Sequence, residues 1–326
     1  MKAVIIGLGY MGQNHTRILS GLEDVDLVAV CDMDESKAKS QAKKFKVNYY
    51  TDYKELLLKE KPQAVFICLP TSLHFEAVMF ALKLKIPTFV EKPIAATILQ
   101  AKKLESFSKL NKVPLMIGHI ERFNPVITEI KNRINTKELG KILHIHTQRF
   151  SPPPTRAHDV SAIVDLATHD IDIISFIAGE LPIRIFAETD TKYHSKEDLM
   201  SALLRFKSGI IGLIEVSWLH PTKIRNITVL GENGMYSADY LTQELFFYKQ
   251  NEVVAKRTTI PSPAQTWADV VKVAFEAKEP LLIEIRSFIN ALKSKSKMPV
   301  TPKEGLSALI IIDKMSKSGF NNKVLK

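Results

Sequence analysis

The chain has 326 residues, 45% hydrophobic and 25% charged, with two cysteines and a formal net charge of +10. That profile fits a folded globular protein with room for two domains and excludes a disordered chain or a disulfide-framed scaffold. No apolar run approaches the roughly 20 residues of a bilayer-spanning helix, and lysines such as Lys37, Lys39, Lys43, Lys44 and Lys46 are spread along a helical pattern, so neither membrane nor nucleic acid is expected as a partner.

The start, Met1-Lys2-Ala3-Val4, reads as a strand and not as a signal peptide, which points to a cytoplasmic protein. Val4-Ile5-Ile6 then feeds Gly7-Leu8-Gly9-Tyr10-Met11-Gly12, and a helix pattern follows from Gln13 to Ser20. A Gly-x-Gly-x-x-Gly turn between strand and helix suits a dinucleotide: Gly7 for the tight turn, Gly9 for close approach of a pyrophosphate, Gly12 for strand-helix packing. Asp32 ends the second apolar run, Leu27 to Cys31, twenty residues past Gly12, where a carboxylate can hold the ribose hydroxyls. The acid favours NAD over NADP, although Lys37 and Lys39 keep a 2′-phosphate in reach. Both cysteines, Cys31 and Cys68, fall near the ends of apolar runs and read as buried, reduced thiols.

Strands and helices continue to alternate. A helix from Asp34 to Phe45, a short strand at Tyr49-Tyr50, a helix from Asp52 to Lys61 capped by Thr51, and the apolar run Ala64 to Leu69 give a βαβαβαβ order. Pro70-Thr71-Ser72-Leu73-His74 opens the next helix at the carboxyl end of the sheet, where ligands sit in open α/β folds, so Pro70, Thr71 and His74 are cofactor candidates beside a plain capping role for Thr71 or Ser72. Pro87 to Val90 delivers Glu91-Lys92-Pro93 to the same edge, and Pro93 keeps Lys92 out of helical conformation. A helix from Thr97 to Lys109 and a strand from Val113 to Gly118 complete a first domain, residues 1–119.

His119-Ile120-Glu121-Arg122-Phe123-Asn124-Pro125 leads into a helix from Val126 to Ile134 and a second domain, 120–326. Its alternating segments, 142–150, 184–189, 201–206, 210–218, 225–230, 234–238 and 245–250, read as one large, mostly antiparallel sheet. A Pro-rich loop, Ser151 to Arg156, and a helix from Val160 to Ala178 interrupt it; helices at 280–294 and 302–318 close the chain. Asp165 and His169, four apart on that helix, project from one face, so the carboxylate can orient an imidazole suited to taking a hydroxyl proton. A simple helix-stabilising pair is the competing reading. A metal set drawn from His119, Glu121, His158, Asp159, His169 and Asp170 is the poorer account, because no HExxH or paired-cysteine spacing is present and the residues are scattered.

The glycine turn, Glu91-Lys92-Pro93 and Asp165-x-x-x-His169-Asp170 in this order resemble the glucose-fructose oxidoreductase/inositol dehydrogenase/rhizopine catabolism (Gfo/Idh/MocA) family over nearly the whole chain. The resemblance implies an N-terminal Rossmann domain and a C-terminal α/β domain with a large open sheet, the active site between them, and homodimers or homotetramers formed through the sheet. It implies NAD as cofactor, with Gly7, Leu8, Gly9, Tyr10, Met11, Gly12, Asp32, Pro70, Thr71, His74, Glu91 and Lys92 near it. It further implies catalytic roles for Lys92, Asp165 and His169, and admits a cis Lys92–Pro93 bond. Within the family, Gly118 to Pro125 and the Pro-rich loop are similar to sugar-nucleotide 3-dehydrogenases, especially the archaeal type acting on UDP-N-acetylglucosamine. Arg122, Asn124 and Arg156, with Arg149 behind them, are then candidates for binding a diphosphate, together with Lys92, Asp165 and His169 for the sugar. A free-polyol or inositol dehydrogenase is the alternative substrate reading, and a non-catalytic NAD-sensing regulator is a third.

Overall fold

The computed structural model describes residues 1–153, 161–250 and 268–326. It divides into two compact units, Met1–Ile120 with Glu279–Ile310, and Glu121–Lys278 with Ile311–Lys326.

In the first unit, β1 (Lys2–Ile6), β2 (Asp26–Cys31), β3 (Asn48–Tyr50), β4 (Ala64–Ile67), β5 (Thr88–Glu91) and β6 (Leu115–Gly118) pair in parallel in the order β3-β2-β1-β4-β5-β6. Continuous apolar runs make this possible: β1 and β4 are buried on both faces, as parallel strands under helices must be. The order reverses between β1 and β4, the switch point where open α/β sheets leave a crevice at their carboxyl ends. The helices are α1 (Tyr10–Ser20), α2 (Glu35–Phe45), α3 (Tyr53–Glu60), α4 (Thr71–Lys83) and α5 (Ile98–Asn111). Asp34 and Thr97 cap α2 and α5 as their types suggest, but α3 is capped by Asp52, whose side chain accepts from Lys54 N at 2.8 Å, and not by Thr51.

The chain later returns to this unit. Phe288 of α8 (Pro280–Ser294) packs edge-on against Phe66 at 5.3 Å and Phe89 at 5.8 Å, and Ile117 N donates to Val300 O at 3.3 Å. Gly305, in α9 (Pro302–Asn321), lies so close to β6 that a Cβ would come within 2.8 Å of Ile117 Cγ1. A division at 119/120 therefore separates α8 from the strands its apolar face covers. No periodicity within α8 reveals which sheet that face meets.

In the second unit, α6 (Pro125–Asn135) and α7 (Thr168–Ala178) accompany an eight-stranded sheet ordered β14-β13-β12-β11-β7-β10-β9-β8. Its strands are β7 (Ile142–Phe150), β8 (Pro182–Asp190), β9 (Leu199–Phe206), β10 (Ile211–Ser217), β11 (Ile224–Gly231), β12 (Gly234–Asp239), β13 (Glu244–Gln250) and β14 (Ala268–Lys272). All neighbours are antiparallel except β7 and β10, so the expected α/β class with a mostly antiparallel second sheet holds. Edge strand β14 escapes the sequence reading because its ladder to β13, and no alternation of its own, defines it. One face of this sheet buries Ile145, Thr147, Ile214, Ile227 and Val229. The other leaves Leu203, Ile211 and Leu230 exposed.

Candidate active site

Gly7 takes φ +92°, a region open to glycine, and its N–H donates to Cys31 O at 2.8 Å, drawing the turn over the end of β2. A Cβ on Gly12 would fall 1.8 Å from Gly7 O, so the third glycine is a packing requirement. Gly9 differs: it is exposed, and a Cβ there would meet nothing within 4 Å. That open space sits at the start of α1, whose first turn has no side-chain cap and no acidic residue. Gly9 and Met11, at the exposed start of the helix, thus place backbone N–H groups where an anionic pyrophosphate would fit. Asp32 stands at the end of β2 beside the turn, its Oδ2 accepting from Leu8 N at 2.7 Å and Oδ1 from Asp34 N at 2.9 Å. Each oxygen keeps a lone pair for a ribose hydroxyl. These residues fit a dinucleotide.

Two cofactor candidates prove to be otherwise engaged. His74 is buried, with Nδ1 2.8 Å from Pro93 O and Nε2 2.8 Å from Leu69 O, so it ties two loops at the sheet edge and has no ring nitrogen left for a cofactor. Two carbonyl acceptors are both satisfied only when both ring nitrogens carry protons. Glu91 is also buried and accepts from His15 Nε2 at 2.9 Å, joining α1 to β5 among the rings of Phe66 and Phe89. Pro70, predicted to touch the cofactor, is the N-cap of α4, and Thr71 begins that helix without a side-chain cap bond. Lys92 is half-buried and follows Glu91 directly, and its peptide bond to Pro93 is cis. His15, Cys68 and Glu91 place donor atoms within 4.8 Å of one another, but the imidazole and the carboxylate already share a proton and burial raises the Cys68 thiol well above its ordinary pKa. The cluster is a packed hydrogen-bonding group more than a metal cage.

In the second unit, the helix expected from Val160 to Ala178 is broken into a π turn, Ile163–Ala167, followed by α7. Asp165 lies in the wide turn and His169 in the first turn of α7; both are half-buried. Such turns form where packing inserts an extra residue, a tertiary effect invisible to i, i+4 counting, and they recur at functional sites. Next to His169, Asp170 points into the sheet and accepts from Arg149 Nε at 2.9 Å, while Arg149 Nη1 donates to Glu121 at 2.8 Å.

Two of the predicted diphosphate binders, Arg122 and Asn124, are engaged within the fold. Arg122 is buried and makes a two-pronged pair with Asp172, Nε and Nη2 each 2.6 Å from a carboxylate oxygen, with Phe176 beneath it at 5.1 Å. Asn124 is the N-cap of α6: Oδ1 accepts from Val126 N at 3.3 Å and Nδ2 donates to Tyr240 O at 3.2 Å. Arg149 is held by Asp170 and Glu121 through Nε and Nη1, while its buried Nη2 has no hydrogen-bond partner among the described residues. Arg122 and Arg149 are tied to carboxylates from elements far off in sequence, and Asn124 to the Tyr240 carbonyl besides its own cap bond, so each contributes to the fold. Arg156, His158 and Asp159 lie outside the described residues.

Sequence reasoning misses one cation, Arg225 of β11. Its Nη1 donates to Ile224 O at 2.8 Å and to Phe150 O. Its only sequence signal is an arginine at an inward-facing strand position.

Residues 1–119 match the oxidoreductase family described as an NAD-binding Rossmann fold, and residues 127–237 match the GFO/IDH/MocA C-terminal domain. The chain belongs to the Gfo/Idh/MocA family. It is an oxidoreductase, and NAD is its cofactor class. Among its Gfo/Idh/MocA relatives, myo-inositol 2-dehydrogenase of Thermotoga maritima is 27% identical over 326 residues, covering 95% of this chain and 94% of the relative. UDP-N-acetylglucosamine 3-dehydrogenase of Acidithiobacillus ferrooxidans is 24% identical over 292 residues, covering 90% and 88%. The solved structure of that enzyme superposes with a TM-score of 0.87 at 22% identity, covering 98% of this chain and 97% of the other, which supports the fold. That relative is bacterial, so the expected likeness to an archaeal type is not borne out.

Proposed function

We propose that this Gfo/Idh/MocA enzyme oxidises a secondary hydroxyl of a sugar nucleotide, C3 of UDP-N-acetylglucosamine, to the 3-keto product. The observation that carries the dehydrogenase chemistry is half-buried Asp165 in the π turn with half-buried His169 in the first turn of α7 directly after it, in a family member. NAD, when bound, supplies the hydride acceptor. In this reading His169 takes the hydroxyl proton, Asp165 orients its ring, and Lys92 holds the reacting oxygen. Gly7 to Gly12 and Asp32 hold the dinucleotide. The 90% coverage by the UDP-N-acetylglucosamine 3-dehydrogenase relative supports the substrate.

A second reading, inositol or free-sugar oxidation, is favoured by the inositol dehydrogenases at 27% and 28% identity. NADH formation with UDP-N-acetylglucosamine against myo-inositol decides between them. Turnover of the nucleotide sugar, abolished in Lys92→Ala and His169→Ala while NAD still binds, supports the first; turnover of inositol alone overturns it.

The exposed leucines and isoleucine of the open sheet also support self-association through that face, as a homodimer or homotetramer. Sedimentation of the purified protein tests it. Among the described residues no helix is long and apolar enough to cross a membrane.

A further inference from the structure

Arg225 and Arg149 are directly opposite in the β11–β7 ladder, so both side chains rise from the same face of the sheet. It is the face over which the π turn and α7 lie, with Asp170 reaching down to Arg149. The two guanidinium groups are treated very differently. Arg149 is buried and takes both nearby carboxylates, Asp170 and Glu121. Arg225 is half-buried and forms no ion pair among the described residues; only its Nη1 is engaged, with two backbone carbonyls. The Nε and Nη2 edge, with three N–H groups, has no hydrogen-bond partner among the described residues.

The charge around it is also unsatisfied. Partial burial, and then the neighbouring Arg149, lower the pKa of Arg225 to about 10, against the opposing pull of Asp170, Glu121 and Asp165. An arginine in that condition gains from an added anion, and the planar Nε/Nη2 edge matches two oxygens of a phosphate. Asp170 of α7 accepts from Arg149, the register partner of Arg225, so Arg225 stands on the sheet face that the π turn with Asp165 and α7 with His169 cover. Polyol hydroxyls would not return the missing charge.

We propose that Arg225 receives the phosphate oxygens of the diphosphate in a sugar-nucleotide substrate. The inference rests on the sugar-nucleotide reading above and assigns to Arg225 the contact for which Arg122 and Asn124 are engaged elsewhere and Arg149, buried beneath Asp170, is too enclosed.

The test uses the NAD-loaded full chain and UDP as probe, by calorimetry, in wild type, Arg225→Gln and Arg225→Lys, with steady-state kinetics on UDP-N-acetylglucosamine. The expected result is UDP binding by wild type that weakens about 10- to 100-fold in Arg225→Gln and less in Arg225→Lys. KM for the nucleotide sugar should rise in parallel, with kcat changed much less. Equal UDP affinity in wild type and Arg225→Gln overturns the inference and leaves the substrate reading standing. Loss of UDP binding in Arg225→Gln, from a wild type that binds UDP but fails to oxidise the nucleotide sugar, supports the inference and overturns the substrate reading. No UDP binding by wild type overturns both. Should Arg225→Gln not fold, Arg225→Lys decides: lysine cannot make the two-pronged contact, so undiminished UDP affinity there also overturns the inference.

Discussion

Asp172→Asn probes the assignment of Arg122 to the fold and not to the substrate. The pair is almost dry, with side-chain exposures of 8% and 2%, and both bonds measure 2.6 Å. Asparagine keeps the shape but removes the charge and turns an N–H toward the guanidinium, donor against donor. Leaving a buried charge without its partner costs about 3–5 kcal/mol. A unit of this size shifts its midpoint by about 2–4 °C per kcal/mol, so thermal unfolding should begin roughly 6–20 °C lower. Replacing the whole pair, Arg122→Met with Asp172→Leu, removes both desolvation penalties and should restore most of the loss. Thermal and urea unfolding followed by circular dichroism supply the stabilities, and KM for UDP-N-acetylglucosamine supplies the functional arm, expected to be unchanged in the double variant. A single variant within about 1 kcal/mol of wild type, set against the buried-pair cost, would refute the energetic argument. A tenfold rise in KM in the stable double variant would return Arg122 to the substrate.

Three further outcomes follow from the geometry. Gly12→Ala should destabilise the first unit, since its Cβ would fall 1.8 Å from Gly7 O; Gly9→Ala, with nothing within 4 Å, should leave the unfolding midpoint unchanged yet weaken NADH binding in a fluorescence titration. Equal behaviour of the two variants would contradict the division of roles. Burial alone would raise the pKa of Asp198, but N–H groups of Tyr193, Lys192 and His194 and the His194 ring bring it down to about 2. The stability it contributes is therefore complete above its unfolded value near 3.9 and is lost as pH falls from there toward about 2. Asp198→Asn should flatten the acid limb of the stability curve over that window, and an unaltered limb would show that Asp198 is not its source. Leu203→Lys on the open sheet face should shift sedimentation toward the monomer if that face joins copies; an unchanged distribution would move the interface elsewhere.

Much of this protein can be read locally. The apolar runs, the glycine turn and Asp32 mark a parallel dinucleotide-binding half because each signal lies within one strand, turn or helix and rests on backbone requirements: a positive φ at Gly7, a missing Cβ at Gly12, buried strands without alternation. The alternating segments after Lys141 give the second sheet for the same reason. The partners of the polar side chains are not local. Arg122 meets Asp172, Asn124 meets the Tyr240 carbonyl, and His15 meets Glu91 only after the elements have packed. Whether an arginine or histidine is committed to the fold or left for a ligand is thus decided by tertiary structure. The π turn under Asp165 and the return of α8 to the first sheet belong to the same class. Sequence sets which groups are present and how the backbone wants to run; desolvation then forces each buried polar group to find a partner, and only the assembled fold determines which one it finds.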